Sequence, residues 1–414
     1  MKQEQLNLRQ AAGQVRSRAE ALAFWAAYED RLEKSALILC VHGSLGFRVP
    51  LRGTYGRNAR LLSLFADDGI FVLDKTIYRE MANEHRAYIP LEYVISFDTN
   101  TASYFRSFFE GQISAIHDDI LCLLRHFQVR LNFVIFPYLC ENAHRFANGC
   151  PQEVMETVVA THRLADFDAT AFAATGELTA KSSPEVIQKA AEKEIEDFTR
   201  LLSKGWDKEL ERRRAPVRAI ILKMVLLEWE WPGRGNAIRK LRGLIEFMDQ
   251  ELNTLYLLLT IPAWEWFMNS DRATIFRKLQ RNAPDLLKEV RTVSWDIYHM
   301  LQVREQAVIP TPRATYVLPY FLTFDQGLAD LFQLCALRSC FIEENGEYPV
   351  SFPQLDMEDW LAVIFAEDPE FSEAHFGAGA YSRRDAARNS HEGIDRTALV
   401  EELERLLVKR QRTA

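Results

Sequence analysis

Short apolar runs of strand length recur along this chain between stretches with helical spacing, and two of them end in an aspartate just before a helix. The runs cover residues 36–41, 70–73, 93–97, 131–136 and 317–323, bounded by glycine, proline or charged residues. Helical patterns fill 16–34, 75–85 and the stretch after residue 97 through Phe109 and on to Phe127. Pro137 stands where proline opens a helix, and Ser183-Pro184-Glu185 reads as a cap followed by a first turn. That helix is expected to run to about Arg214, and the periodicity predicts two more over 238–259 and 285–303. After Pro310 and Pro312 a strand leads into a helix over 326–337. Strands alternating with helices predict an α/β fold with a mostly parallel sheet flanked by helices, and the helical middle predicts a large helical subdomain.

Charge narrows the functional classes. The formal net charge is −8, so nucleic acid is not held by global attraction and any such contact rests on local basic patches. The six cysteines form no CxxC pair and several sit in apolar runs, which reads as reduced core residues in place of a disulfide framework or zinc site. No apolar stretch near Met1 has signal-peptide character, and none approaches the roughly 20 residues needed to span a bilayer. A cytoplasmic protein without membrane contact is expected.

Aspartates at strand ends are the strongest chemical signal. The first occurs in Tyr93-Val94-Ile95-Ser96-Phe97-Asp98-Thr99-Asn100, the second in Tyr320-Phe321-Leu322-Thr323-Phe324-Asp325-Gln326-Gly327-Leu328. Ligand sites of open parallel sheets lie beyond the carboxyl ends of strands, so acids from two strands can converge on one cleft. Either aspartate alone equally suits a helix cap. Glu141, one turn into the helix opened by Pro137, and Asp296, in Trp295-Asp296-Ile297-Tyr298-His299, are further acids at the borders of apolar faces. Asp74 also ends an apolar strand, and Glu110, Asp118 and Asp119 are local substitutes for Glu141. His299 reads as a structural histidine.

Asp98-Thr99-Asn100 after an apolar strand resembles the opening motif of PIN-like domain nucleases. The segment from Leu322 to Leu328 resembles their late motif, in which Thr or Ser precedes the final acid by two. Pro137 with Glu141, and Trp295-Asp296 with His299, match the intermediate acidic positions in order. The resemblance covers about 91–146 and 285–337. It implies a Rossmann-like sheet and a carboxylate cluster of Asp98, Glu141, Asp296 and Asp325 holding Mg²⁺ or Mn²⁺, oriented by Asn100 and Thr323. The implied organisation is an N-terminal α/β region (1–90), a first core half (91–150), a helical insertion (151–284), a second core half (285–350) and a C-terminal loop with a charged helix (351–414). The implied activity is metal-dependent hydrolysis of phosphodiester bonds, of RNA before DNA. Hard divalent cations favour oxygen donors, and a bound ion activates water without a side-chain nucleophile.

Basic residues offer a surface for such a substrate. Arg52, Arg57 and Arg60 surround Gly53, Tyr55 and Gly56, which reads as a flexible loop able to hold a backbone and stack a base. Arg239 and Lys240 open a helix in a second cluster, and Arg212–Arg214 read equally as a solvated helix face. Two other functions fit the same sequence. One is a phosphatase of the haloacid dehalogenase kind, although Asn100 stands where that class has a second aspartate. The other is a non-catalytic scaffold built on the helical middle, with a regulatory partner or a second copy of the chain.

Overall fold

The computed structural model describes residues 2–41, 47–48, 51–67, 69–84, 88–111, 115–126, 132–307, 314–343, 349–355, 358–389 and 395–412. The break expected at residues 310 and 312 lies outside them. The chain forms two compact units, one of 1–204, 299–325 and 336–354, the other of 205–298, 326–335 and 355–414. It is a mixed α/β, helix-rich fold. Among the described residues, no helix is long and apolar enough to cross a membrane.

Every described strand belongs to the first unit: β1 (Ala36–Cys40), β2 (Phe47–Arg48), β3 (Gly53–Tyr55), β4 (Ala59–Ser63), β5 (Gly69–Asp74), β6 (Leu91–Phe97), β7 (Phe133–Val134), β8 (Tyr316–Thr323), β9 (Leu337–Ile342) and β10 (Val350–Pro353). One sheet has the order β10-β9-β1-β5-β2 and is antiparallel at every pairing. Its centre, β1, is an uninterrupted apolar run whose Leu37, Ile38 and Leu39 are all buried. The helix Arg18–Tyr28 starts at Ser17, whose hydroxyl accepts from the Glu20 amide. It buries Phe24 edge-on against Phe341 of β9, centroids 6.2 Å apart.

The second sheet has the order β3-β4-β8-β6-β7. Here β3, β4 and β8 pair antiparallel, and only β8, β6 and β7 run parallel. The expectation of a mostly parallel sheet is therefore corrected. Parallel pairing needs a long crossover, and the chain supplies one between β6 and β7 through the helices Thr99–Phe109 and Ala115–His126. The β3–β4 pair instead is joined by a tight turn. The Gly53–Arg60 segment, expected as a loop, is a hairpin whose turn uses Gly56 at φ 66°. Every residue of β8, which lies between β4 and β6, is buried.

The second unit is helical. The expected helix from residue 184 to 214 is two helices, Pro184–Ser203 in the first unit and Trp206–Glu230 in the second, separated at Gly205 with φ 85°. The 238–259 stretch likewise divides into Ala237–Gln250 and Leu257–Phe267, with Asn253 at φ 49° between them. Within the stretch 351–414, expected as a loop before a charged helix, lie the helices Pro369–Phe376 and Ala378–Asn389. They are fixed by Asp249, fully buried, which accepts from His375 Nδ1 at 2.8 Å and from the guanidinium groups of Arg383 and Arg384. The helix Arg396–Arg412 closes the chain.

Candidate functional site

Parallel pairing of β6 with β8 sets Phe97 opposite Leu322, so the next residues, Asp98 and Thr323, leave the sheet side by side at its carboxyl end. Both are buried. Asp98 caps the helix Thr99–Phe109, with Oδ1 accepting from the Thr101 amide at 2.9 Å. Its Oδ2 accepts from the Thr323 hydroxyl at 3.2 Å. Asp98 thus caps a helix with one carboxylate oxygen and meets the end of β8 with the other. Burial pushes the Asp98 carboxyl above the usual aspartate range, opposed by the bonds from Thr101, by nearby His299 and by Thr323.

Thr323 also positions the late acid. Its Oγ1 accepts from the Asp325 amide at 3.0 Å, which folds the strand end into a turn and leaves Asp325 exposed. Glu141 ends the short helix Phe136–Glu141, which has Pro137 in its first turn. The Thr99 hydroxyl donates to Glu141 Oε2. His299, 1% exposed, places Nε2 at 3.6 Å from the same oxygen, an electrostatic contact longer than a hydrogen bond. Chain segments far apart in sequence thus meet through Asp98, Thr99, Glu141, His299 and Thr323, all in the first unit, and Asp325 follows Thr323 by two positions.

Asp296 has a different setting. The helix Leu286–Gln306 passes from the second unit to the first at His299, and Asp296 lies before that point. Its carboxylate pairs with Lys278 Nζ at 3.2 Å. Of the Trp295-to-His299 segment, His299 is the residue that meets Glu141. Three positions separate it from Asp296 on the helix, which is the only sequence signal it gave. Asn100 is exposed on the first turn after Asp98.

The competing acids have structural partners. Asp74 caps the helix Lys75–Glu84 through the Ile77 amide at 2.7 Å and accepts from the Tyr316 hydroxyl. Asp119 is buried and ties the hairpin turn, accepting from the amides of Arg57 at 2.5 Å and Asn58 at 3.2 Å. Asp118 is exposed, and Glu110 faces Arg106 at 3.5 Å.

Basic residues divide similarly. Arg52 and Arg60 donate to the backbone carbonyls of Ala66 and Asn58 while remaining at the surface of the hairpin. Arg239 lies over the Trp231 ring, 4.3 Å from its centroid. Lys240 is not a surface cation. Its side chain is 0% exposed, and Nζ donates to Glu228 Oε2 at 2.6 Å and to the carbonyls of Gly233 and Phe267.

The donor chemistry of Asp98, Glu141 and Asp325 fits a hard divalent cation, since all offer carboxylate oxygen. Among the described residues, no three His, Cys, Asp or Glu side chains are grouped so as to hold an ion as they stand. Compared with known proteins, the chain matches no family model, no curated protein and no solved structure.

Proposed function

We propose that the chain is a divalent-metal-dependent nuclease of the PIN-like kind, with a Rossmann-like arrangement confined to β7, β6 and β8. The observation that carries this reading is the Asp98–Thr323 contact at the carboxyl ends of adjacent parallel strands. It joins two motifs that the resemblance pairs and that lie 225 positions apart. Strand pairing brings Asp98 and Thr323 together, and Thr99 and His299 set Glu141 beside them.

In this reading Asp98, Glu141 and Asp325 hold Mg²⁺ or Mn²⁺. When bound, the ion lowers the pKa of a coordinated water and offsets charge on the phosphate. The chain's own contributions are positional. Thr323 fixes Asp98 and orients the Asp325 turn, and Thr99 with His299 holds Glu141 at the site. RNA is the preferred substrate class, with Arg52 and Arg60 on the hairpin as backbone contacts.

The test is cleavage of labelled single-stranded RNA and DNA with Mn²⁺, Mg²⁺ or EDTA, comparing the native chain with Asp98→Asn and Asp325→Asn. Metal-dependent cutting is expected, falling about 100-fold or more in each variant while far-ultraviolet circular dichroism is unchanged. Equal cutting by both variants, or hydrolysis of a phosphate monoester instead, overturns the proposal.

A further inference from the structure

The closing helix Arg396–Arg412 has two working faces. Val400, Leu403 and Leu407 are buried where it packs on the helix Trp206–Glu230, an attachment reinforced by an Arg218–Glu404 ion pair and by Arg410 with Glu230 at 3.3 Å. The other face lines an open groove of about 700 Å³. From this helix the groove takes Glu401, Glu404, Arg405, Val408, Lys409 and Arg412, and Leu287 supplies apolar surface opposite. The spacing of those six residues is that of one continuous helical stripe.

The stripe is polarised at its ends: Glu401 opens it, and Lys409 and Arg412 close it. It is also symmetric about the midpoint between residues 406 and 407. A second helix laid antiparallel on that midpoint sets Glu401 against Arg412, Glu404 against Lys409, and Arg405 against Val408. Glu401 meets Arg412 at each end, Glu404, which also holds Arg218, faces Lys409, and the central pair lays an arginine stem along a valine. Antiparallel packing also brings the positive end of each helix dipole to the negative end of the other. A partner peptide of a single charge sign would meet like charge at one end of the stripe, whereas a second copy meets opposite charge at both.

We propose that this groove is a homodimer interface in which two copies of the closing helix pack antiparallel about a two-fold axis. Such a contact is isologous, each copy giving and receiving the same pairs. The stripe spans eleven residue steps, about 16 Å of helix, which is small for an interface. The dimer is therefore weak, dissociates on dilution, and loosens as salt screens its charges.

Sedimentation velocity of the full chain over a concentration series, at low salt and at about 1 M salt, tests this with Glu401→Lys, Arg412→Glu and the double reversal. Both sites are exposed, so the core is untouched, and circular dichroism checks the helix content. Each single reversal is expected to weaken dimerisation by about tenfold or more, since it places like charges opposite each other twice per dimer. The double reversal is expected to restore it. Residues 401 and 412 are too far apart on one helix to touch, so restoration arises only between copies. A native chain that stays monomeric overturns the proposal. So does a dimer indifferent to the single reversals, or one the double reversal does not restore.

Discussion

Asp98 carries two demands that conflict. In the proposed metal cluster it has to be ionised near neutral pH, yet its carboxyl is buried and its pKa is pushed upward by that burial. A group with a raised folded-state pKa contributes stability fully below its ordinary value and loses that contribution as pH rises through the folded value. At pH 7 the charge is thus a local liability. Asp98→Asn keeps a good helix cap and removes the charge. It is expected to abolish metal-dependent cutting while raising Tm by about 2–4 °C at pH 7, the size of a gain near 1 kcal/mol. The gain should vanish below about pH 4, where the unfolded aspartate is also protonated. A lower Tm at pH 7 would show that the carboxylate is needed for folding. Lys240 is the opposite case. Its buried ammonium satisfies Glu228 and two carbonyls, so Lys240→Ala is expected to cost about 3–5 kcal/mol in chemical denaturation.

Hairpin and capping contacts explain which segments could be recognised in advance. The strand β6, the helix after it and β8 were legible because their signals are local: an apolar run, an aspartate, then helical spacing. The strands β9 and β10 were not, because Leu337–Ile342 continues a helix-compatible stretch and becomes a strand only by pairing with β1. Glycine, tyrosine and arginine made the β3–β4 segment look like a loop. What holds it is Asp119, from a helix 61 and 62 positions away, bonding the amides of the turn. A Cβ on Gly56 would lie 1.9 Å from Asp119 Oδ1, at a backbone angle that side chains rarely adopt. Gly56→Ala is accordingly expected to cost about 2 kcal/mol or more in Tm-derived stability and to speed hydrogen exchange in β3 and β4 first. The candidate site shows the same division. The strand-end motif exposed Asp98 and Thr323, whereas the burial of His299 against Glu141 comes from packing that a helical wheel of its own segment does not contain.

The two units carry buried carboxylates shifted in opposite directions, which gives the molecule a definite response to acid. In the second unit burial raises the pKa of Asp249, but the bonds from Arg384 and His375 outweigh it and hold the carboxyl below its ordinary range. A depressed folded-state pKa contributes stability that is complete above the ordinary aspartate value of about 4 and is lost as pH falls through the folded value. Glu209, pushed to about 2 chiefly by its bond from Arg212, acts in the same sense. It sits near solvent, where screening reduces its weight. In the first unit Asp98 acts in the other sense and gains from protonation. The tryptophans make the difference measurable. Trp25 alone belongs to the first unit, while Trp206, Trp229, Trp231, Trp264, Trp266, Trp295 and Trp360 belong to the second. Intrinsic fluorescence therefore reports mainly the second unit, and hydrogen exchange in β6 and β8 reports the first. Lowering the pH from about 6 to about 2 is expected to lose the native fluorescence before the exchange protection. Asp249→Asn should destabilise the second unit at pH 7, by about 3–5 kcal/mol because two arginines lose their charged partner, and flatten its dependence on acid. Coincident loss of both signals in the native chain, with the variant's acid profile unaltered, would mean that acid unfolding is governed by charges elsewhere.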